Sequence, residues 1–191
     1  SSKRKAIKNE RKKIKNTNLV IEKLTGEQLT NKIWDSFYSF YLNTIDKKWG
    51  GAYLTKEFFY LLNETMKNDI LLITAKQDEK VVAGALNFIS KNTLYGRNWG
   101  SIVDIPFLHF ELCYYQAIEY AIEKKIKTVE AGAQGHHKIQ RGYIAKPTYS
   151  NHFLPNDSFA RAVKNFTKLE EIEVRKQIEF INTKNSPYSH I

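Results

Sequence analysis

"DILLITAKQDEKVVAGALNFISKNTLYGRNWGSI", residues Asp69–Ile102, is where the chain changes period. Apolar residues before it recur at helical spacing. Within it, β-branched, aromatic and small residues crowd into three runs: Asp69–Gln77, Val81–Ile89 and Asn92–Ile102. Only Asp78–Lys80 and a tight turn at Lys91–Asn92 separate them. Runs of this length with connections this short read as sequential strands in an antiparallel meander.

The flanking segments build outward from that meander. After Pro106, Phe107–Lys125 reads as a helix, with Phe110, Tyr114, Ala117 and Ala121 on one face and Ile118 and Ile122 beside them. Ile126–Gly132 is expected to be a short buried strand. Upstream, Asn18–Leu24 alternates as a strand, and Thr25–Gly50 is helical through Ile33, Phe37, Phe40, Tyr41 and Ile45. Leu54–Asn68 is a helix opened by a Thr55 cap, with Phe58, Leu61, Leu62 and Met66 on one side. Lys146–Leu154 reads as a further strand. Pro155–Thr183 reads as a long helix with Phe159, Val163, Phe166, Leu169 and Ile172 inward. The whole is an α/β (α+β) chain with a mixed, mostly antiparallel sheet flanked by helices, expected as one domain over residues 1–191.

The 191 residues include a single cysteine, Cys113, so no internal disulfide framework exists; a reducing, cytoplasmic setting is expected. Cys113, in mid-helix among apolar neighbours, reads as a small core residue. No run reaches the ~18 apolar residues of a membrane span, and no apolar signal core follows the basic start. The net charge is +10, and much of the excess sits in Ser1–Lys15, which reads as a basic helix. Such a helix is either a solvated face or a contact for a polyanion such as tRNA.

Helix, meander, helix and strand in this order match the GNAT-type acyltransferase arrangement, in which a mixed sheet opens around an acyl donor. Longer runs carry a closer likeness. "YLTKEFFYLL" (Tyr53–Leu62), "TLYGRNWG" (Thr93–Gly100), "FLHFELCYYQAIEYAIE" (Phe107–Glu123), and "EAGAQG", "KIQRGY" and "PTYS" within Glu130–Ser150 together resemble the FemAB-like N-acyltransferase family, also described as peptidoglycan biosynthesis/recognition. The resemblance implies a GNAT-like acyl-CoA N-acyltransferase fold. It also implies transfer of an acyl or aminoacyl group to an amine, in the setting of peptidoglycan precursors. Full-length members carry two GNAT-like halves, and this chain resembles the second. A homodimer or a missing N-terminal half-domain is the partner expected from that. Typical members have an acidic residue where this chain has His136; imidazole can serve as a base at neutral pH but supplies no negative charge.

N-acyl transfer needs an amine relieved of its proton, a carbonyl polarised by donors, and a proton for the leaving group. Glu130, at a strand end before the glycine loop, is the candidate for holding or deprotonating the amine; His137 and Tyr143 are the other catalytic candidates. Gln134, His136, Lys138, Arg141 and Tyr149 are candidates for substrate binding, with Lys138, Arg141 and the backbone of Gly132–Gly135 suited to an anion. Tyr95, Arg97 and Trp99 alternate along one strand and are expected on one face, Tyr95 and Arg97 as groove-lining residues. His109 and Glu111 stand at the start of the strong helix, as binding residues or as helix-dipole partners. The adjacent histidines lack the spacing and partners of a metal site, so no metal is expected.

The junction Gly100–Glu111 lacks the glycine-rich loop with which coenzyme-A-using GNAT enzymes hold pyrophosphate, and Pro106 offers no N–H. No permanently bound cofactor is expected. The donor is then an aminoacyl-tRNA or another activated acyl group rather than acetyl-CoA. The competing reading is a GNAT-like module without activity that binds a cell-wall or nucleic-acid ligand.

Overall fold

The computed structural model describes residues 2–46, 51–132 and 135–185. They divide into two compact units, one within residues 5–132 and one of residues 135–185 with residues 2–4. The first unit holds a five-stranded sheet in the order β1 (Val20–Leu24), β2 (Ile70–Gln77), β3 (Lys80–Ile89), β4 (Thr93–Ser101) and β5 (Thr128–Glu130). All neighbours are antiparallel except β4 and β5, which run parallel. The meander forms as its sequence requires. Its first turn has two residues, Asp78 and Glu79, both at positive φ (48° and 62°), the geometry that suits the twist of a two-residue hairpin even without glycine.

Each face of the sheet has its own apolar layer. Leu71, Ile73 and Ala75 of β2 and Ala83 and Ala85 of β3 pack with Ile14 of α1 (Ser2–Lys15) and with Leu108, Leu112, Ala117 and Tyr120. The alternate residues, Ile70, Leu72 and Leu86, face α2 (Asn31–Asp46) and α3 (Lys56–Met66) through Trp34, Phe37, Phe40, Tyr41, Phe59 and Leu62. This period-2 division is what a sheet covered on both sides demands. α2 lies so close to β4 that a Cβ on Gly100 would stand 2.4 Å from the Phe40 carbonyl group.

Several boundaries and faces differ from those read in the sequence. The Thr55 cap forms, its hydroxyl accepting from the Phe58 N–H, but α3 buries Phe59 and Leu62 and leaves Phe58, Leu61 and Met66 exposed. The reason is an aromatic cluster: the Phe59 ring lies 5.8 Å from Trp34 and 5.7 Å from Phe37. The segment Thr25–Gly50 is not one helix. A 3₁₀ turn at Gly26–Gln28 precedes α2, and residues 47–50 lie outside the described residues.

The helix after Pro106 spans residues 108–123 (α4) but contains a π-helical turn, Glu111–Tyr115, closed by the Gln116 N–H donating to the Glu111 carbonyl. The extra residue resets the buried face: Leu108 and Leu112 are four apart, Leu112 and Ala117 five, Ala117 and Ala121 four, and all four are buried. Ile122 is consequently exposed.

In the second unit, Lys146–Leu154 forms no strand. Just before it, the Asn182 amide donates to the Ala145 carbonyl and accepts from the Ala145 N–H, both at 2.8 Å. The long helix is Asp157–Phe180, capped by the Asn156 side chain accepting from the Phe159 N–H. None of its residues is buried: of the side chains expected inward, Phe159, Phe166, Leu169 and Ile172 are exposed and Val163 is half-buried.

Candidate functional site

In the sheet unit the site is built by a defect in β4. Asn87 pairs with Gly96 and Leu86 with Asn98, so Arg97 is an extra residue, a β-bulge. The bulge inverts the alternation beyond it. Tyr95 pairs with Phe88 on the α2 side of the sheet, whereas Trp99 pairs with Ala85 and packs with the α4 side. Tyr95 and Trp99 therefore lie on opposite faces, not on the shared face their spacing suggested. Arg97 donates to the Tyr53 hydroxyl at 3.1 Å, and Tyr53 stands edge-on to Tyr41.

β5 follows β4 for only three rungs, Thr93↔Thr128, Leu94↔Val129 and Tyr95↔Glu130. Pairing stops where the bulge begins, and β4 continues to Ser101 without a β5 partner. The ladder therefore ends in a notch, β4 lacking a β5 partner beyond Tyr95, with Glu130 at its apex and its side chain exposed. Gly96 permits the close approach there, because a Cβ would stand 3.3 Å from the Glu130 carbonyl oxygen.

The end of β4 and the start of α4 enclose a hollow of about 500 Å³, lined by Trp99, Ser101, Asp104, Phe107, His109 and their neighbours. Among the described residues no lysine or arginine lines it, although the Lys13 ammonium stands over the Phe107 ring at 5.1 Å. Its loop is fixed internally: Ser101 Oγ donates to the Val103 carbonyl (2.7 Å) and accepts from the Val103 N–H (3.0 Å), and the Leu108 N–H donates to Ile105. Pro106 has no N–H, and Phe107 enters the helix in the left-handed region at φ 71°. The His109 ring packs edge-on against Trp99 at 5.2 Å and Tyr114 at 5.5 Å. Asp104 and Phe107 had not been singled out in the sequence; their position between a strand end and a helix start was the available signal.

Glu111, open in the sequence between a binding residue and a helix-dipole partner, is engaged within the sheet unit. It is buried, takes two hydrogen bonds from Arg11 of α1 (3.0 and 3.2 Å) and one from Gln116 (2.8 Å). With its oxygens so occupied, it ties α1 to α4.

The second unit holds the remaining candidates, in a tight turn over His136–Ile139. Gly135, at φ 106°, holds a backbone region that favours glycine, and a Cβ there would stand 2.6 Å from the His137 ring, which would have to turn aside. The turn gathers cations. Arg141 Nη1 donates to the His137 carbonyl at 2.8 Å, and Lys138 adjoins. Burial first, then the charges of Lys138 and Arg141, hold the His137 imidazole below its ordinary pKa. His136 is exposed and borders a hollow of about 270 Å³ with Ile139, Gln140 and Ile181. Tyr143 is half-buried, its N–H donating to the Lys138 carbonyl; Tyr149 is exposed. Gln134 lies outside the described residues, as does part of the Gly132–Gly135 nest. Among the described residues no three His, Cys, Asp or Glu side chains converge as metal ligands, and no helix is long and apolar enough to cross a membrane.

The solved structures that share this fold include acetyltransferases. An aminoglycoside acetyltransferase, meta-AAC0020, from an uncultured soil metagenomic sample in complex with trehalose is 13% identical, with a TM-score of 0.52 over 74% of this chain and 99% of that one. Its complex with sisomicin gives 12% identity and a TM-score of 0.51 over 73% and 97% of the two chains. A possible acetyltransferase from Clostridium difficile 630 is 9% identical, with a TM-score of 0.50 over 73% and 100%. At such identities the likeness concerns the fold alone, and that fold is GNAT. No curated protein matches the chain. Its sequence does match a family profile, over residues 1–190 and thus through both units: the chain belongs to the FemAB-like family, described as peptidoglycan biosynthesis/recognition.

Proposed function

We propose that the chain is an N-acyltransferase that passes an acyl or aminoacyl group to an amine of a peptidoglycan precursor. The observation that carries the reading is the notch where β5 leaves β4 at the Arg97 bulge. Backbone N–H groups of β4 that lack a β5 partner are suited to polarise an acyl carbonyl. Glu130, at the apex, is suited to hold the acceptor ammonium and take its proton. The amine nitrogen then attacks the carbonyl carbon, the new C–N bond forms, and the donor's leaving group departs with a proton. The family's description supports a cell-wall acceptor.

The hollow beside the notch argues for a donor without a diphosphate there. It offers Asp104 and aromatic rings, no cation among its described lining residues, and loop N–H groups already engaged at Val103 and Leu108. An aminoacyl ester of tRNA meets that requirement. The exposed Lys5, Lys8, Lys12 and Lys15 of α1 suit its backbone.

The test is a transfer assay with aminoacyl-tRNA, acetyl-CoA and an amine-bearing muropeptide, with and without Glu130→Gln. Transfer from aminoacyl-tRNA that drops ~100-fold or more in the variant supports the reading. Binding of the muropeptide with no donor consumed would replace it with the binding-module reading. Efficient use of acetyl-CoA would overturn the donor assignment.

A further inference from the structure

We propose that the hollow between the end of β4 and the start of α4 holds the free α-ammonium group of an aminoacyl donor, with Asp104 as its counter-ion. The inference rests on the aminoacyl-donor reading above and adds which part of that donor the chain recognises. Asp104 lines the hollow, is exposed, and makes no hydrogen bond or ion pair among the described residues. Trp99, Phe107 and Phe110 line it too, each half-buried. Aromatic faces attract cations, and the Lys13 ammonium already stands over the Phe107 ring at 5.1 Å. Lys13 makes no ion pair with Asp104, so the carboxylate is left to neutralise a guest.

The chemistry of the lining selects the guest. A phosphate or carboxylate would meet Asp104 with like charge. An apolar group would strip water from the carboxylate and return no hydrogen bond. An ammonium gives the carboxylate N–H donors and the rings a positive charge. An aminoacyl ester carries that group one carbon from its ester carbonyl. The stretch of β4 that lacks a β5 partner runs through Trp99 to Ser101, and both residues line the hollow. A carbonyl on that edge therefore has its α-ammonium beside the hollow. Two amines then meet two carboxylates with different outcomes. The acceptor amine gives up its proton at Glu130 and attacks the carbonyl carbon. The donor amine, paired with Asp104, keeps its proton and with it the lone pair it would need to attack. The donor is thereby kept from acylating a second copy of itself.

Equilibrium binding to the full chain, read by fluorescence anisotropy, tests this with three RNA minihelices that differ only at the 3′ end. One carries an amide-linked glycine with its amine free, one carries the same glycine N-acetylated, and one is uncharged. The wild type is expected to bind the free-amine form ~10-fold or more tightly than the acetylated one. Asp104→Asn should bind the two alike. Asp104 is exposed and unpartnered, so this variant should melt as the wild type does, and the acetylation comparison on the wild type needs no variant at all. If the wild type binds both glycyl forms equally, and each more tightly than uncharged RNA, the ammonium site is overturned and the aminoacyl-donor reading stands. If all three RNAs bind alike, that reading falls and the site with it. A preference for the free amine that persists in Asp104→Asn overturns the assignment to this hollow. So does a loss in Asp104→Asn that is confined to binding of an amine-bearing muropeptide, which would give the site to the acceptor.

Discussion

Arg11 and Glu111, 100 residues apart in the chain, meet in a two-point contact: Nη2 to Oε1 at 3.0 Å and Nε to Oε2 at 3.2 Å. The carboxylate is only 4% exposed and the guanidinium 27%, so the pair is shielded on the acid side. Removing the cation leaves a buried charge with one amide donor, Gln116. Arg11→Met is expected to destabilise the sheet unit by roughly 3 kcal/mol, and adding Glu111→Leu to recover most of it. Denaturant unfolding followed by tryptophan fluorescence checks this; an Arg11→Met change under about 1 kcal/mol would show that the pair is dispensable.

Arg11 also holds Glu119, and the hydrogen bond between them keeps the Glu119 carboxyl below the usual carboxylate range. The sign follows from linkage. A depressed acid contributes stability that is present above the unfolded value of about 4.3 and is lost as pH falls through the lower, folded value. Acid unfolding of the wild type should therefore be steeper in that window than that of Glu119→Gln. Glu119 is partly exposed, so salt should shrink the difference.

Gly100 faces the Phe40 carbonyl across a gap with no room for a methyl group. Gly100→Ala must push α2 off β4 and is expected to cost about 1–3 kcal/mol. Gly51 has nothing within 4 Å of a built Cβ, so Gly51→Ala is the control and should change stability by under about 0.5 kcal/mol. Thermal melts of the two variants decide the point.

His137 titrates below the ordinary imidazole value of about 6.5 because it is partly buried and faces Lys138 and Arg141. Its contribution to stability is complete above that value and declines as pH falls toward the folded value, since the unfolded chain takes up the proton first. In an NMR titration its midpoint should lie below those of histidines in unfolded peptides. Lys138→Ala should raise it. A midpoint that does not respond to Lys138→Ala or Arg141→Ala would remove the electrostatic cause.

The sequence by itself determined the elements that rest on local period and turn chemistry. The meander over Asp69–Ile102, the Thr55 cap and the helix after Pro106 were legible because alternation, capping and strand length are properties of neighbouring residues. Tertiary structure decided what depends on distant partners. Phe58 and Phe59 are indistinguishable by type, and only the Trp34–Phe37 pocket selects Phe59. One extra residue in β4 and one in α4 rotated every later side chain, so Tyr95 parted from Trp99 and Ile122 turned to solvent. Glu111, open in the sequence between a binding residue and a helix-dipole partner, is held by Arg11 from 100 residues away. The notch coincides with the bulge, since the β4–β5 ladder ends at Tyr95, two residues before the extra Arg97. A reading by period assumes a constant step, and at the candidate site of this protein the step changes.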